Sequence, residues 1–394
     1  MRVVTTDWDA FVADELASRS EAGLLRSLRP LERDGGWVVT EDGRRLLDLS
    51  SNDYLGLASH PAVAEAAARA ARRGSGATAS RLIVGTDSQY SAFEEKLADF
   101  QGTEAALVFG SGYLANVGTI GCLVGPGDAV FSDELNHASI IDGCRLSRAT
   151  IHRYGHGDAD ELELLLQASD ARRKLIVTET VFSMNGDTAP LADIVELKDR
   201  YGTALLVDEA HAVGVLGPHG EGYAHEVGVA DRVDLHMGTF GKAFGAYGAY
   251  VAGQSPWIDY LVNAGRTFVF TTALPPAVIA AADAALDLVR DGDDLRADLQ
   301  AKAGRFRRRL DRVGLDTRGS STQIVPAVVG DSERAVELSQ QLEERGVLGV
   351  AIRPPTVPHG TARVRFSLSV LNEDADLERA LDAIELTAGN TTAP

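Results

Sequence analysis

Short apolar runs alternate with longer stretches whose apolar side chains recur every three to four positions. The runs Ala105–Phe109, Ala129–Ser132, Leu175–Glu179, Ala204–Val207, Leu235–Gly238 and Ala249–Ala252 read as buried strands. Between and before them Pro61–Arg73, Ser91–Phe100, Tyr113–Cys122, Ala138–Ser147, Asp160–Ala168 and Leu191–Tyr201 read as helices. Such alternation predicts an α/β unit with a mostly parallel sheet covered on both faces. Function in such sheets gathers at the loops beyond the strands' carboxyl ends. Ahead of it, Asp9–Leu28 has helical spacing. Trp37–Val39 and Leu46–Leu49 read as two strands around the turn Glu41-Asp42-Gly43. Behind it comes a long helical stretch, Pro276–Val313. Strands Ile324–Val329, Gly349–Ile352 and Val364–Leu368 follow, with helices Ala335–Arg345 and Ala375–Leu386, a smaller α+β unit. The tail Gly389–Pro394 reads as frayed. The expected division is 1–50 (helix and small β segment), 51–285 (large α/β domain) and 286–394 (carboxyl-terminal α+β domain).

Composition narrows the class. The chain has 394 residues, 45% hydrophobic, which is ample for a core. No apolar run is long enough to span a membrane, and the first residues lack a signal-peptide core, so a cytoplasmic protein is expected. Two cysteines, Cys122 and Cys144, are too few for a disulfide framework and lack metal-site spacing. A net charge of −19 argues against a general nucleic-acid binder. Lysine is scarce: Lys96, Lys174, Lys198, Lys242 and Lys302 are the full set.

Three stretches carry candidate chemistry. In Met237–Gly245 a lysine, Lys242, sits just past a strand in a glycine-flanked turn, with Thr239 three residues earlier. A lysine that forms a Schiff base needs an uncrowded approach and a lowered pKa, which small neighbours and partial desolvation provide. The GxxxxGK[ST] spacing of a nucleotide P-loop is absent. In Ala204–His211 a strand delivers Asp208 at its end, and His211 follows three residues later. A buried aspartate keeps a pyridine nitrogen protonated, and a histidine beside it can bond the ring's oxygen. A helix cap or polar loop remains open for this stretch, whereas a metal site lacks a third ligand at recognisable spacing. In Phe109–Asn116 a strand ends in Gly110-Ser111-Gly112 and opens a helix, a phosphate-binding arrangement. Further on, His137 begins the next helix after the next strand, Ser183 follows the strand ending at Glu179, and Arg353 stands beside a proline turn. Arginine is the usual two-pronged partner of a carboxylate.

Taken in order, FGSGYLAN, DELNHASI, VFSMNGD, VDEAHAVGVLG, TFGKAFG and IRPPTVP resemble the α-oxoamine synthases. These are pyridoxal-phosphate enzymes of fold type I, with the aspartate-aminotransferase-like fold. The likeness runs from about Leu24 to Leu371. The stretch Ser51–Leu57 is general to the family. Phe270–Pro276 and Arg353–Pro358 are closer to the member that makes 8-amino-7-oxononanoate for biotin than to those that make 5-aminolevulinate or 2-amino-3-ketobutyrate. The resemblance implies pyridoxal 5'-phosphate as cofactor, no metal, and L-alanine with a pimeloyl thioester as substrates of a decarboxylative acyl transfer. It implies that Lys242 carries the cofactor as a Schiff base and moves the Cα proton, Asp208 pairs with the ring nitrogen, His211 meets the ring oxygen and His137 stacks on the ring. Gly112, Tyr113, Ser183 and Thr239 would hold the cofactor and its phosphate. Arg353 would take the substrate carboxylate, with Arg26, Asn52 and Thr356 around the substrate. The site would form in a homodimer, with Thr271 and Thr272 supplied by the partner subunit.

Other readings are weaker. Glycine with acetyl-CoA is the nearest variant. A dinucleotide-binding oxidoreductase would leave Lys242, Asp208 and His211 unexplained, and position 115 is Ala where GxGxxG has its third glycine. A non-catalytic paralogue would be expected to have lost Lys242 or Asp208. The basic run at Arg305, Arg307, Arg308 and Arg309 reads as a solvated helix face, with carrier docking as its alternative.

Overall fold

The structure, a computed structural model, describes residues 7–391. Its centre is a seven-stranded sheet. The order is Ala105–Phe109, Ala249–Gly253, Leu235–Thr239, Ala204–Asp208, Lys174–Glu179, Ala129–Asp133 and Thr150–Tyr154. Ala249–Gly253 runs antiparallel to both neighbours, and the other pairs are parallel. The apolar runs become strands because burial on both faces leaves no polar alternation to keep. Every residue of Ala129–Asp133, Leu235–Thr239 and Ala249–Gly253 is buried. One strand, Thr150–Tyr154, is not among those expected from the apolar runs. This strand lies at the sheet's edge and is mostly exposed, so its residues carry no apolar run.

The parallel strands end at Asp133, Glu179, Asp208 and Thr239, which therefore share one edge of the sheet. Helices fill the connections close to their expected bounds, as at Ala138–Ser147 and Leu191–Tyr201. The expected long helix after Pro276 is two helices, Pro276–Arg290 and Asp293–Arg312, parted at Asp291-Gly292. Asp293 and Asp294 in the second helix's first turn suit the positive end of its dipole.

At the carboxyl end Ala362–Ser367 lies between Ile324–Gly330 and Val350–Ile352, antiparallel to both. The amino-terminal strands Leu31–Asp34, Trp37–Thr40 and Arg45–Asp48 form a second sheet that Val347–Leu348 joins in parallel. The first helix, Trp8–Glu21, buries none of its residues and stops well short of Leu28. Gly23, at φ 64°, turns the chain as Leu24 N–H closes on Arg19 O at 2.7 Å. The last helix, Asp374–Thr391, extends into the stretch expected to fray. Among the described residues no helix is long and apolar enough to cross a membrane.

The basic run is not a free face. Arg305 pairs with Asp374, Arg307 donates to Thr322 O, and Arg309 meets Glu378, Asp382 and Glu385 on the last helix. Cys122 and Cys144 are free thiols that burial pushes up to about 12, which makes them poor nucleophiles.

A half-buried histidine ties the sheet's edge to the loop after Glu179. His156 Nδ1 lies 3.1 Å from Asp133 and its Nε2 lies 2.8 Å from Asp187. Burial opposes the imidazolium, but the two carboxylates outweigh it and raise the ring to about 10. A raised pKa stabilises the fold fully below the unfolded value near 6.5 and stops doing so as pH climbs through about 10. His156→Gln is therefore expected to lose about 3 kcal/mol at pH 6, with the gap to the parent closing above pH 10. Thermal melts across that range check it, and a gap that widens with pH would contradict it.

Candidate active site

Lys242 leaves the strand Leu235–Thr239 through a tight turn in which Gly241 N–H donates to Thr239 Oγ1 at 3.2 Å. The Thr239 hydroxyl donates to Gly248 O at 3.0 Å. The turn closes on Gly245 at φ 61°, where a Cβ would stand 2.1 Å from Ala58 N. Only glycine lets the lysine loop press so closely on the segment after Tyr54.

The lysine points its Nζ at His211 Nε2, 3.0 Å away. Burial pulls the Lys242 ammonium down to about 8; Asp208 and Glu179 hold it up, and Arg365 pushes with burial. Each of the other four lysines is engaged elsewhere. Lys96 pairs with Asp283 and Asp287, Lys174 donates to Leu166 O, Lys198 meets Asp199, and Lys302 meets Asp298.

Asp208 is buried, and both its oxygens are held: Oδ2 by Asn116 Nδ2 at 2.7 Å and Oδ1 by Ala210 N–H at 2.9 Å. Asn116 also donates to Ser139 Oγ at 2.9 Å, which links Asp208 to the helix that His137 opens. His137 caps that helix with its Nδ1 2.8 Å from Ser139 Oγ, and its ring is exposed. Desolvation by the protein behind it lowers its pKa, Asp208 opposes this and Lys242 adds to it. His211 is buried, with Nδ1 2.6 Å from the Tyr54 hydroxyl. Burial, then Lys242, Arg365 and His137, push it well below its ordinary value, so it is neutral.

Glu179 pairs in register with Asp208 on the adjacent strand. It is 2% exposed; Oε2 accepts from Ser183 N–H at 3.1 Å, and Oε1 has no partner. Burial, with Asp208 beside it, raises its carboxyl to about 8 against the pull of Lys242. In the sequence its place at a strand end is its one distinguishing feature.

Arg365 is a second site residue outside the motifs. It lies in Ala362–Ser367, buried, and donates to Ser183 O at 2.6 Å, Ser367 Oγ at 2.7 Å and Asn52 Oδ1 at 3.3 Å. All three partners are neutral, so a buried cation faces Lys242 and His211 with no carboxylate among these bonds. The alternation Arg363-Val364-Arg365 was the available signal.

The other expected residues divide. Asn52 and Ser183 join the group through Arg365. Gly112 and Tyr113 form the first turn of the helix Gly112–Leu123, where backbone N–H groups lack intrahelical partners. Tyr113 is half-exposed and bonds Asp142 at 2.6 Å. Arg353 donates instead to Gly23 O. Thr356 lines a cleft of about 430 Å3 with Phe182, Met184 and Asn185, which flank Ser183. Arg26 is exposed in irregular chain, and Thr272 bridges to Ser80; no bond joins either to Lys242. Among the described residues no cluster of His, Cys, Asp and Glu could hold a metal.

The donor set suits pyridoxal phosphate. It offers an amine of lowered pKa, a buried carboxylate for a ring N–H, an open imidazole face and a helix amino terminus for phosphate. It also has an unpartnered buried oxygen on Glu179. The family model for aminotransferase class I and II matches residues 44–384. The chain belongs to that family, within the α-oxoamine synthases. An 8-amino-7-oxononanoate synthase of Geobacter sulfurreducens is 53% identical over 377 residues, covering 95% of this chain and 96% of that one. Among solved structures, SPT with the PLP internal aldimine has a TM-score of 0.91 at 31% identity, covering 99% of both chains. The 8-amino-7-oxononanoate synthase of Francisella tularensis has a TM-score of 0.77 at 30% identity, covering 88% of this chain and 99% of that one. The fold is thus the aspartate-aminotransferase-like fold type I.

Proposed function

We propose that this chain is a pyridoxal-phosphate-dependent acyltransferase of biotin biosynthesis. It joins L-alanine to a pimeloyl thioester, releasing carbon dioxide and the carrier thiol, and gives 8-amino-7-oxononanoate. The observation that carries this reading is Lys242, lowered to about 8 and facing buried Asp208, in a chain 53% identical to a protein named for that product.

When bound, pyridoxal phosphate supplies an aldehyde for amines and a ring that accepts the electron pair left at Cα. The chain's residues do the rest. Lys242 Nζ holds the cofactor and, as a neutral amine, takes the Cα proton. Asp208, fixed by Asn116 and Ala210, keeps the ring nitrogen protonated. His137 would cover the ring face, and His211 and Ser183 would hold the ring oxygen. Gly112, Tyr113 and Thr239 would receive the phosphate. Arg365, rather than Arg353, takes the alanine carboxylate, because it is the buried cation beside Lys242 whose bonds all go to neutral groups. Arg353, Arg26, Asn52 and Thr356 then border the acyl side.

A homodimer belongs to this reading. Ile83 and Val84 are each 75% exposed and Phe270 is 71% exposed, next to the segments that Ser80 and Thr272 bridge. A second copy would bury this apolar face and receive Thr271 and Thr272. A cytoplasmic location and domain boundaries at 51 and 286 complete the proposal.

The test supplies two substrate pairs to the purified protein. L-alanine with pimeloyl-CoA is expected to turn over at least ~100-fold faster than glycine with acetyl-CoA, about 2.7 kcal/mol in barrier. Preference for the glycine pair would overturn the assignment.

A further inference from the structure

Tyr54 is fully buried and takes no part in the chemistry assigned above. Its hydroxyl lies 2.6 Å from His211 Nδ1 and 3.1 Å from Asn52 Oδ1. One O–H proton cannot serve both acceptors. On the ring's other side, His211 Nε2 lies 3.0 Å from Lys242 Nζ. A neutral imidazole has one N–H and one lone pair, so its two contacts are linked. We infer that Tyr54 is a positioning residue whose hydroxyl, turning between His211 Nδ1 and Asn52 Oδ1, couples the tautomer of His211 to the protonation of Lys242.

Two arrangements satisfy every atom in the chain Asn52–Tyr54–His211–Lys242. With Lys242 as ammonium, Nζ–H donates to Nε2, Nδ1–H donates to the Tyr54 oxygen, and the Tyr54 hydroxyl donates to Asn52 Oδ1. With Lys242 as amine, the Tyr54 hydroxyl donates to Nδ1, and Nε2–H donates to the Nζ lone pair. The second arrangement has one proton fewer, lost from Lys242, while His211 and Tyr54 stay neutral in both. The groups around them enforce that neutrality. Burial raises the Tyr54 hydroxyl and outweighs the opposing pull of Arg365 and Gln323 beside it. Burial, Lys242, Arg365 and His137 all disfavour an imidazolium at His211. Lys242 itself is faced by Asp208 and Glu179 from the strand ends and by Arg365 from the carboxyl-terminal sheet. Arg365 also donates to Asn52 Oδ1 at 3.3 Å, so the acceptor that Tyr54 uses in the ammonium form is held in place. The consequence is a histidine that turns an Nε2–H donor toward Lys242 only when the lysine is a free amine, the form that attacks an aldehyde.

This inference rests on Lys242 being the reactive amine, but its test needs no cofactor. The full chain, freed of cofactor and labelled with 15N-histidine, is followed by NMR from pH 6.5 to 9.5, with His211 assigned by loss of its signals in His211→Gln. The His211 proton is expected on Nδ1 at the low end and on Nε2 at the high end, a change of at least ~10-fold in tautomer ratio, following Lys242. Tyr54→Phe should hold the ratio within ~3-fold across the range, and Lys242→Met should abolish the exchange without touching Tyr54. A His211 tautomer that is constant in the parent, or that exchanges equally in either variant, would overturn the coupling. Failure of the proposed function shows up separately, as no visible band when pyridoxal phosphate is added to the parent chain.

Discussion

Replacing Lys242 by alanine is expected to lower turnover by at least ~1,000-fold, about 4 kcal/mol in barrier, and to remove the visible absorbance of the cofactor-loaded protein. The size follows from two tasks falling on one amine, holding the cofactor and moving the Cα proton. No neighbour can substitute. His211 is held neutral by burial and lies on Lys242 itself, while Glu179 is a carboxyl raised to about 8 with no freedom to reach a substrate carbon. The fold should not suffer, because Lys242 forms no ion pair within 4 Å among the described residues and gives up a single bond to His211. Unchanged near-ultraviolet circular dichroism with lost turnover is the expected pair of results. Turnover within tenfold of the parent would remove Lys242 from the chemistry.

The second large effect separates two arginines. Arg365→Lys is expected to reduce kcat/KM for alanine by ~100- to 1,000-fold, about 3 to 4 kcal/mol, mostly through KM. Lysine keeps the charge but loses the planar fork that grips a carboxylate and the three bonds that aim it. Arg353→Lys should cost less than ~10-fold in the same quantity, since its bond to Gly23 O places it at the amino-terminal segment. Steady-state kinetics at saturating thioester, with melts to confirm folding, would show the order. The reverse order would return the carboxylate to Arg353.

That contrast marks what the sequence makes legible. Lys242, Asp208 and His211 stand in contiguous stretches at strand ends, where an apolar run followed by a polar residue is visible without knowing the fold. Arg365 is different. It alternates with apolar neighbours, which in isolation describes a half-exposed strand, whereas every residue of Ala362–Ser367 is buried. Its polar face is covered by the loop after Glu179, a contact 182 residues away in sequence. Asn116 and Tyr54 lie within recognisable stretches without a signal of their own, because their partners, Asp208 and His211, lie far along the chain and meet them only when the sheet forms. The edge strand Thr150–Tyr154 is illegible for the opposite reason: it needs no apolar run to pair on one side. In the motif IRPPTVP proline fixes the backbone beside Arg353, but the partner of its side chain, Gly23 O, lies 330 residues away and is not visible in the motif.

The central claim is that Lys242 holds the cofactor. Borohydride reduction of the pyridoxal-phosphate-loaded protein, followed by digestion and mass mapping, tests it most directly. One reduced phosphopyridoxyl group per chain is expected, on the peptide containing Met237–Gly245, at Lys242. Label on Lys96, Lys174, Lys198 or Lys302 in its place, or no label on a protein that turns over, would contradict it.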